Sequence, residues 1–298
     1  MRYRPKHIVE YAATRAAVWL VNVLPYCVSL ALAWTIGGLV FYVLRFRVTE
    51  TERRIREVFG STVSPAQVRR IAWLSWRNCV FTAVEATRGP KTGARWIARH
   101  VDHTVIDAIM QPHLASRRGA VLACPHLGSW ELAGILGRRF GFPMFTIAGR
   151  QRNPLFNDYL NRLRQQCGME VLVRGTSSLK AIVSRLKRGE CFAILPDVRV
   201  IEGALPVRFL GKTAHIGRGM GLFAHQANVP VIICMMARVG WGRHTMVAFP
   251  PIWPDPALDR EQDCVRITQA VMELIDQAIR AHPEQWFWLN KRWILDPL

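Results

Sequence analysis

Residues 119–134 read GAVLACPHLGSWELAG and hold two groups able to move a proton, His126 and Glu131. On a single helix, residues five apart point roughly 140° away from each other and could not cooperate. Residues 121–124, however, are a short apolar run with the flanks of a buried strand, and a helical pattern begins at Leu132. The spacing therefore predicts a strand-to-helix junction. His126 precedes the helix, Gly128 or Ser129 supplies the turn and N-cap, and Glu131 falls in the first turn, where a carboxylate suits the dipole and reaches back toward the imidazole. A neutral histidine held by a carboxylate takes a proton from a hydroxyl nucleophile, and amides at a helix N-terminus donate to an oxyanion. Cys124, in the apolar run, reads as an inert core thiol.

The elements that must position this pair are legible in outline. Strands are expected at 144–148, 169–173, 191–195, 231–236 and 245–249. Helices are expected at 49–59, from Ser64-Pro65-Ala66-Gln67 to Gly89-Pro90, from Asn153-Pro154 to about 167, through 217–226, and from Asp259 to about 281. Strands and helices alternating at this pace predict an α/β fold with a largely parallel central sheet flanked by helices. Pro196-Asp197 falls at the carboxyl end of the 191–195 strand, where open α/β sheets place ligand chemistry. Gly211-Lys212-Thr213 looks like the end of a phosphate-binding loop, but Pro206 stands where that motif needs its first glycine. His100, Asp102, His103 and Asp107 have the look of metal ligands, yet the stretch reads as an ordinary amphipathic lead into Gly119, so no metal and no cofactor is expected.

Residues 16–44 carry no charge, a run longer than the roughly 20 apolar residues of a spanning helix. Pro25 divides it, and Gly37-Gly38 interrupts the second half. A tilted span, a re-entrant hairpin and a surface-lying helix all fit. A cleavable leader fits less well, because the apolar run continues past Ala31-Leu32-Ala33. The expected organisation is an N-terminal hydrophobic membrane anchor, residues 1–47, and one α/β domain, residues 48–298. Seven cysteines with no CxxC pair suit a reducing compartment. A net charge of +19 favours anionic partners. Without a zinc-finger, helix-turn-helix or RNA-binding signature, a nucleic-acid role would rest on charge alone, and no nucleic acid is expected as a partner.

Several blocks in order resemble the lipid A late acyltransferases, the lauroyl and myristoyl transferases of the lysophospholipid acyltransferase superfamily. They are the hydrophobic N-terminus, GAVLACPHLGSWELAG, RQRNPLFNDYLNRLR, LKRGECFAILPD, RFLGKTA and PEQWFWLNKRW, covering about residues 10 to 293. The resemblance implies a glycerolipid acyltransferase-like fold with His126 and Glu131 as the catalytic pair. One of Arg162 or Arg164 would match a functionally important arginine, and Asp197 the aspartate after the strand ending in proline. It implies an acyl carrier protein or acyl-CoA thioester as donor, an anionic lipid or glycolipid as acceptor, and a place on the cytoplasmic side of a bacterial inner membrane. Arg150, Arg152, Arg162 and Arg164 are the candidates to bind acceptor phosphates, since guanidinium pairs bidentately with phosphate. Two departures, Arg199 where the family has a second acid and Asn290-Lys291-Arg292 at the terminal block, put the acceptor's identity in question. Phosphatidylinositol mannoside, a lysophospholipid or an amino lipid are the other acceptors to weigh. Outside enzymes, a non-catalytic basic membrane adaptor is the alternative.

Overall fold

The computed structural model describes residues 3–149, 151–173 and 176–296, without the side chains of 107, 148, 173 and 176–178. Its strands are β1 (Val101–Asp102), β2 (Ala120–Ala123), β3 (Met144–Ala148), β4 (Glu170–Val173), β5 (Cys191–Ile194), β6 (Ala204–Phe209), β7 (Lys212–Gly217), β8 (Val231–Arg238) and β9 (His244–Ala248). Seven of them form one sheet in the order β1-β9-β8-β2-β5-β3-β4. From β8 to β4 every pairing is parallel, as expected. β9 runs antiparallel to β8 because residues 239–243 alone join them, too few for a crossover. β6 and β7 form a separate antiparallel hairpin. Its two-residue turn, Leu210 and Gly211, has positive φ at both positions, the geometry that matches the twist of the flanking strands. Gly211-Lys212-Thr213 is thus a turn and a strand start.

The helices are α1 (Pro5–Val23), α2 (Tyr26–Gly38), α3 (Val48–Phe59), α4 (Pro65–Arg88), α5 (Ala94–His100), α6 (Gln111–Ala115), α7 (Trp130–Arg139), α8 (Pro154–Gln166), α9 (Thr176–Lys187), α10 (Gly219–Ala227) and α11 (Arg260–Ala281). Three open on the caps that the sequence predicts. Ser64 with Gln67 and Asp259 with Gln262 form capping boxes, and the Asn153 side-chain oxygen accepts from the Leu155 and Phe156 amides. Strand β2 lies between β5 and β8 with all four residues buried. Its side chains alternate between two layers, as the pleat requires. Val121 and Ala123 join the cluster holding Ile182, Ala224, Ile267 and Val271 of α9, α10 and α11, while Ala120 and Leu122 join the one holding Leu132 and Leu136 of α7.

The apolar N-terminus breaks at Leu24-Pro25, where proline cannot continue the helix. Carbonyls left without partners at the end of α1 are taken up by α4 and the turn after it. Arg88 donates to the Val21 and Leu24 carbonyls, and Lys91 to that of Asn22. One face of α2 packs Leu30 and Ala33 on Phe81 and Val84 of α4, while Val28, Trp34 and Ile36 stay exposed. Residues Tyr26–Val43 are long and apolar enough to cross a membrane.

Arg54 of α3 is buried, donates to the carbonyls of Trp288 and Asn290 at 2.7 and 2.8 Å, and lies over the Trp293 ring. It thereby ties the terminal NKRW block to the body of the fold. Arg54→Ala leaves both carbonyls without their donor and is expected to destabilise the chain by about 2 kcal/mol, read as a lower urea midpoint by tryptophan fluorescence.

Candidate active site

Strands β2 and β5 are parallel neighbours, and their register pairs Ala123 with Ile194. Beyond that pair each chain runs one further residue, then a proline, then a polar side chain: Cys124-Pro125-His126 and Leu195-Pro196-Asp197. Equal offsets from a shared register bring His126 and Asp197 side by side at the carboxyl end of the sheet. The imidazole Nδ1 and the His126 backbone N–H both donate to the Asp197 carboxylate, each at 2.8 Å, and Trp286 Nε1 donates to the same carboxylate at 2.8 Å.

This corrects the expected pairing. Glu131 does occupy the first turn of α7, but its carboxylate meets Arg164 at 3.0 Å and makes no ion pair with His126. Arg164 of α8 takes the Glu131 carboxylate, while Asp197 already occupies the imidazole Nδ1. Burial alone would push the Asp197 carboxyl up. The His126 charge and the three hydrogen bonds outweigh it and hold the group below its ordinary value. Asp197 is therefore ionised and can only accept, so Nδ1 carries a proton, and in the neutral form of the ring it is Nε2 that holds the free lone pair. The ring keeps 20% of its side-chain surface accessible, between Trp130 and Phe287.

The loop behind the imidazole is held by a buried polar layer. Glu85 of α4 and Arg238 at the end of β8 are each 1% exposed and pair twice, at 2.6 and 2.9 Å. Tyr26 donates to Glu85 at 2.7 Å, and Ser129 donates to it as well. Arg238 donates to Asn78, and Asn78 donates in turn to the Gly128 carbonyl. Gly128 has φ +64° and passes so close to Met236 that a β-carbon would lie 2.0 Å from its carbonyl oxygen, which excludes any other residue. With its hydroxyl on Glu85, Ser129 does not cap α7, and the amides of Trp130, Glu131 and Leu132 keep no partner among the described residues.

Of the other predicted site residues, Arg164 joins Glu131. Arg152 and Arg162 are exposed, and Arg150 lies outside the described residues. Burial raises the Cys124 thiol well above its usual value, as an inert core cysteine requires. Asp102 accepts from the Thr104 amide and hydroxyl, and His100 stacks on Trp96. Sequence reasoning missed Glu85 and Arg238. Their signal was present: Glu85 is the sole acid in residues 65–88, and Arg238 closes the otherwise apolar run VIICMMAR.

A largely parallel α/β sheet that presents a carboxylate-held histidine beside a helix whose first amides lack partners has parts suited to the class of transferases and hydrolases working on carbonyl carbons. Within that class the chain belongs to the family of bacterial lipid A biosynthesis acyltransferases, whose model matches residues 4–294. It is similar to the phosphatidylinositol mannoside acyltransferase of Mycobacterium tuberculosis strain H37Rv, 28% identical over 226 residues, which cover 71% of this chain and 66% of that protein. It is also similar to the lipid A biosynthesis lauroyltransferase of Escherichia coli K12, 24% identical over 291 residues, covering 94% and 90%. The lipid A biosynthesis acyltransferase of Haemophilus influenzae is 26% identical over 178 residues, covering 59% and 54%. The chain thus spans just under two thirds of the length of the mycobacterial relatives it matches first.

Proposed function

We propose that the chain transfers a fatty acyl group from an acyl carrier protein or acyl-CoA thioester to a hydroxyl of a lipid A precursor or related phosphorylated glycolipid. The observation that carries this reading is the imidazole whose Nδ1 is fixed on Asp197 while Nε2 stays open. Nε2 takes the hydroxyl proton as the oxygen forms its bond to the thioester carbonyl carbon. The amides of Trp130, Glu131 and Leu132 donate to the oxyanion. The C–S bond then breaks, and the proton passes from the imidazolium to the departing thiolate. Exposed Arg152 and Arg162, with Arg150 on the same loop in sequence, attract the acceptor's phosphates and an acidic donor protein. Residues 1–47 anchor the chain on the cytoplasmic face of a bacterial inner membrane, which suits the exposed apolar face of α2.

A mannoside acceptor is the second reading, favoured by the mycobacterial relatives. Purified protein given radiolabelled thioesters with lipid A precursors or phosphatidylinositol mannosides separates the two. Labelled product on neither acceptor, with donor intact, would refute acyl transfer to a glycolipid.

Glu131 and Arg164 act as one unit in this mechanism, holding α8 against the junction. Glu131→Gln and Arg164→Ala are each expected to slow turnover by about 10-fold to 100-fold, and the double variant no further than the worse single. Losses that multiply in the double variant would show two independent roles.

A further inference from the structure

A basic hollow lies at the rim of the apolar N-terminal face. Between Lys91 and His100 lies a cavity of about 470 Å³, lined by Lys91, Arg95, Trp96, Arg99 and His100. Lys91, Arg95 and Arg99 are exposed, and neither Arg95 nor Arg99 has a carboxylate within 4 Å among the described residues. The two arginines are four residues apart on α5 and share a face, an arrangement that costs stability through like-charge repulsion unless an anion lies between them. Trp96 stacks on His100 at 4.6 Å and makes a flat wall.

The position of the cavity says which anion. Tyr26 at the start of α2 packs edge-on against both Trp96 and His100, and also against Gly242 of the β8–β9 loop. That loop exposes Val239, Trp241 and Arg243, and Trp241 lies beside Trp34 of α2. Exposed Val23, Val28 and Trp34 of the N-terminal helices and exposed Val239 and Trp241 of this loop therefore lie on elements that border the basic hollow. Apolar and indole side chains next to cations are what a bilayer interface selects, with acyl chains on one side and phosphates on the other. The hollow is separate from the acyl-transfer centre. Trp96 meets His244, His244 meets Glu85, and Glu85 meets Ser129, so the buried ion pair stands between the two.

We propose that the cavity lined by Lys91, Arg95 and Arg99 holds the phosphate of an anionic bilayer phospholipid other than the acceptor, and so fixes how the chain sits on the membrane. This rests on the membrane-anchored reading above.

The test is flotation of the full-length protein with vesicles of phosphatidylcholine alone or mixed with phosphatidylglycerol. Wild type is compared with Arg95→Gln/Arg99→Gln and with Arg208→Gln/Arg260→Gln, which removes the same charge from exposed positions elsewhere. Wild type is expected to prefer the phosphatidylglycerol vesicles. The first double variant should lose roughly thirty-fold of that binding, and the second no more than about threefold. Equal losses in both double variants, or none in the first, would overturn the site. Wild-type binding to both vesicles alike would overturn it and leave the membrane reading standing, whereas binding to neither overturns both. Inorganic phosphate supplies the other arm. If it raises the melting temperature of wild type but not of the Arg95/Arg99 variant, while both float equally, the cavity takes free phosphate and the lipid assignment is overturned.

Discussion

His126→Ala is expected to lower kcat for acyl transfer by about three orders of magnitude, the usual worth of a positioned general base, with KM changed by no more than a few-fold. The two parameters separate because, in the proposed mechanism, the imidazole meets the acceptor proton in the transition state and contributes little to holding either substrate. Asp197→Asn should come within about tenfold of the same loss, although it removes only one charge. An asparagine amide facing Nδ1 would donate to it, driving the ring proton to Nε2 and blocking the lone pair that has to act. Steady-state rates with a labelled thioester, at saturating acceptor, measure both. Wild-type turnover in His126→Ala would refute the base. Full activity in Asp197→Asn beside an inactive His126→Ala would refute the tautomer argument alone.

The second large effect is on stability. Removing one partner of the Glu85–Arg238 pair leaves a buried charge unmatched, so Glu85→Gln and Arg238→Ala are each expected to destabilise the chain by about 3–5 kcal/mol. On a chain of this size that corresponds to a melting temperature lower by about 5–8 °C. Glu85→Leu/Arg238→Met, which removes both charges and keeps the volume, should recover most of the loss, since paired buried ions often do no better than apolar residues of the same shape. It should not restore turnover, because Ser129 and Asn78 lose their partners and the Gly128 loop its support. The pair also sets a pH dependence. Burial pushes the Glu85 carboxyl up, but Arg238 and His244 overcome it and hold the group well below the ordinary range. The unfolded chain therefore takes up this proton first as pH falls. The stabilisation is complete above about pH 4.3 and is lost below it, as the pH approaches the depressed native value. As the solution is acidified the urea midpoint of wild type should fall faster than that of the apolar double variant, which lacks this carboxyl, so that the variant becomes the more stable of the two.

Much of this arrangement could be read before any coordinates. Helix starts were legible wherever a capping side chain announced them, at Ser64, Asn153 and Asp259, because a cap is a local device. The parallel core strands were legible because strands buried on both faces are short apolar runs. Strand direction at the edge was not: β9 and the β6–β7 hairpin turn on loop length and on the backbone conformation of Leu210 and Gly211. At the site, His126 and Asp197 were each singled out, but the imidazole was paired with the acid nearest in sequence. Its real partner is 71 residues away and arrives through strand register, which no spacing within one segment reveals. The repeated ending, strand then Pro125 or Pro196 then polar residue, is the local trace of that register and would have named the partner. Glu85 and Arg238 were harder, since a lone charge in an apolar stretch says that a partner exists without saying where.

The third donor to Asp197 is Trp286, contributed by a segment synthesised well after both strands of the junction. While the chain is still on the ribosome, His126 and Asp197 can already be neighbours, yet the indole that completes the aspartate's shell has not been made. The full set of donors to Asp197 is thus complete only after residue 286 is made, and a nascent chain paused before it would carry the sheet with one donor to that carboxylate missing.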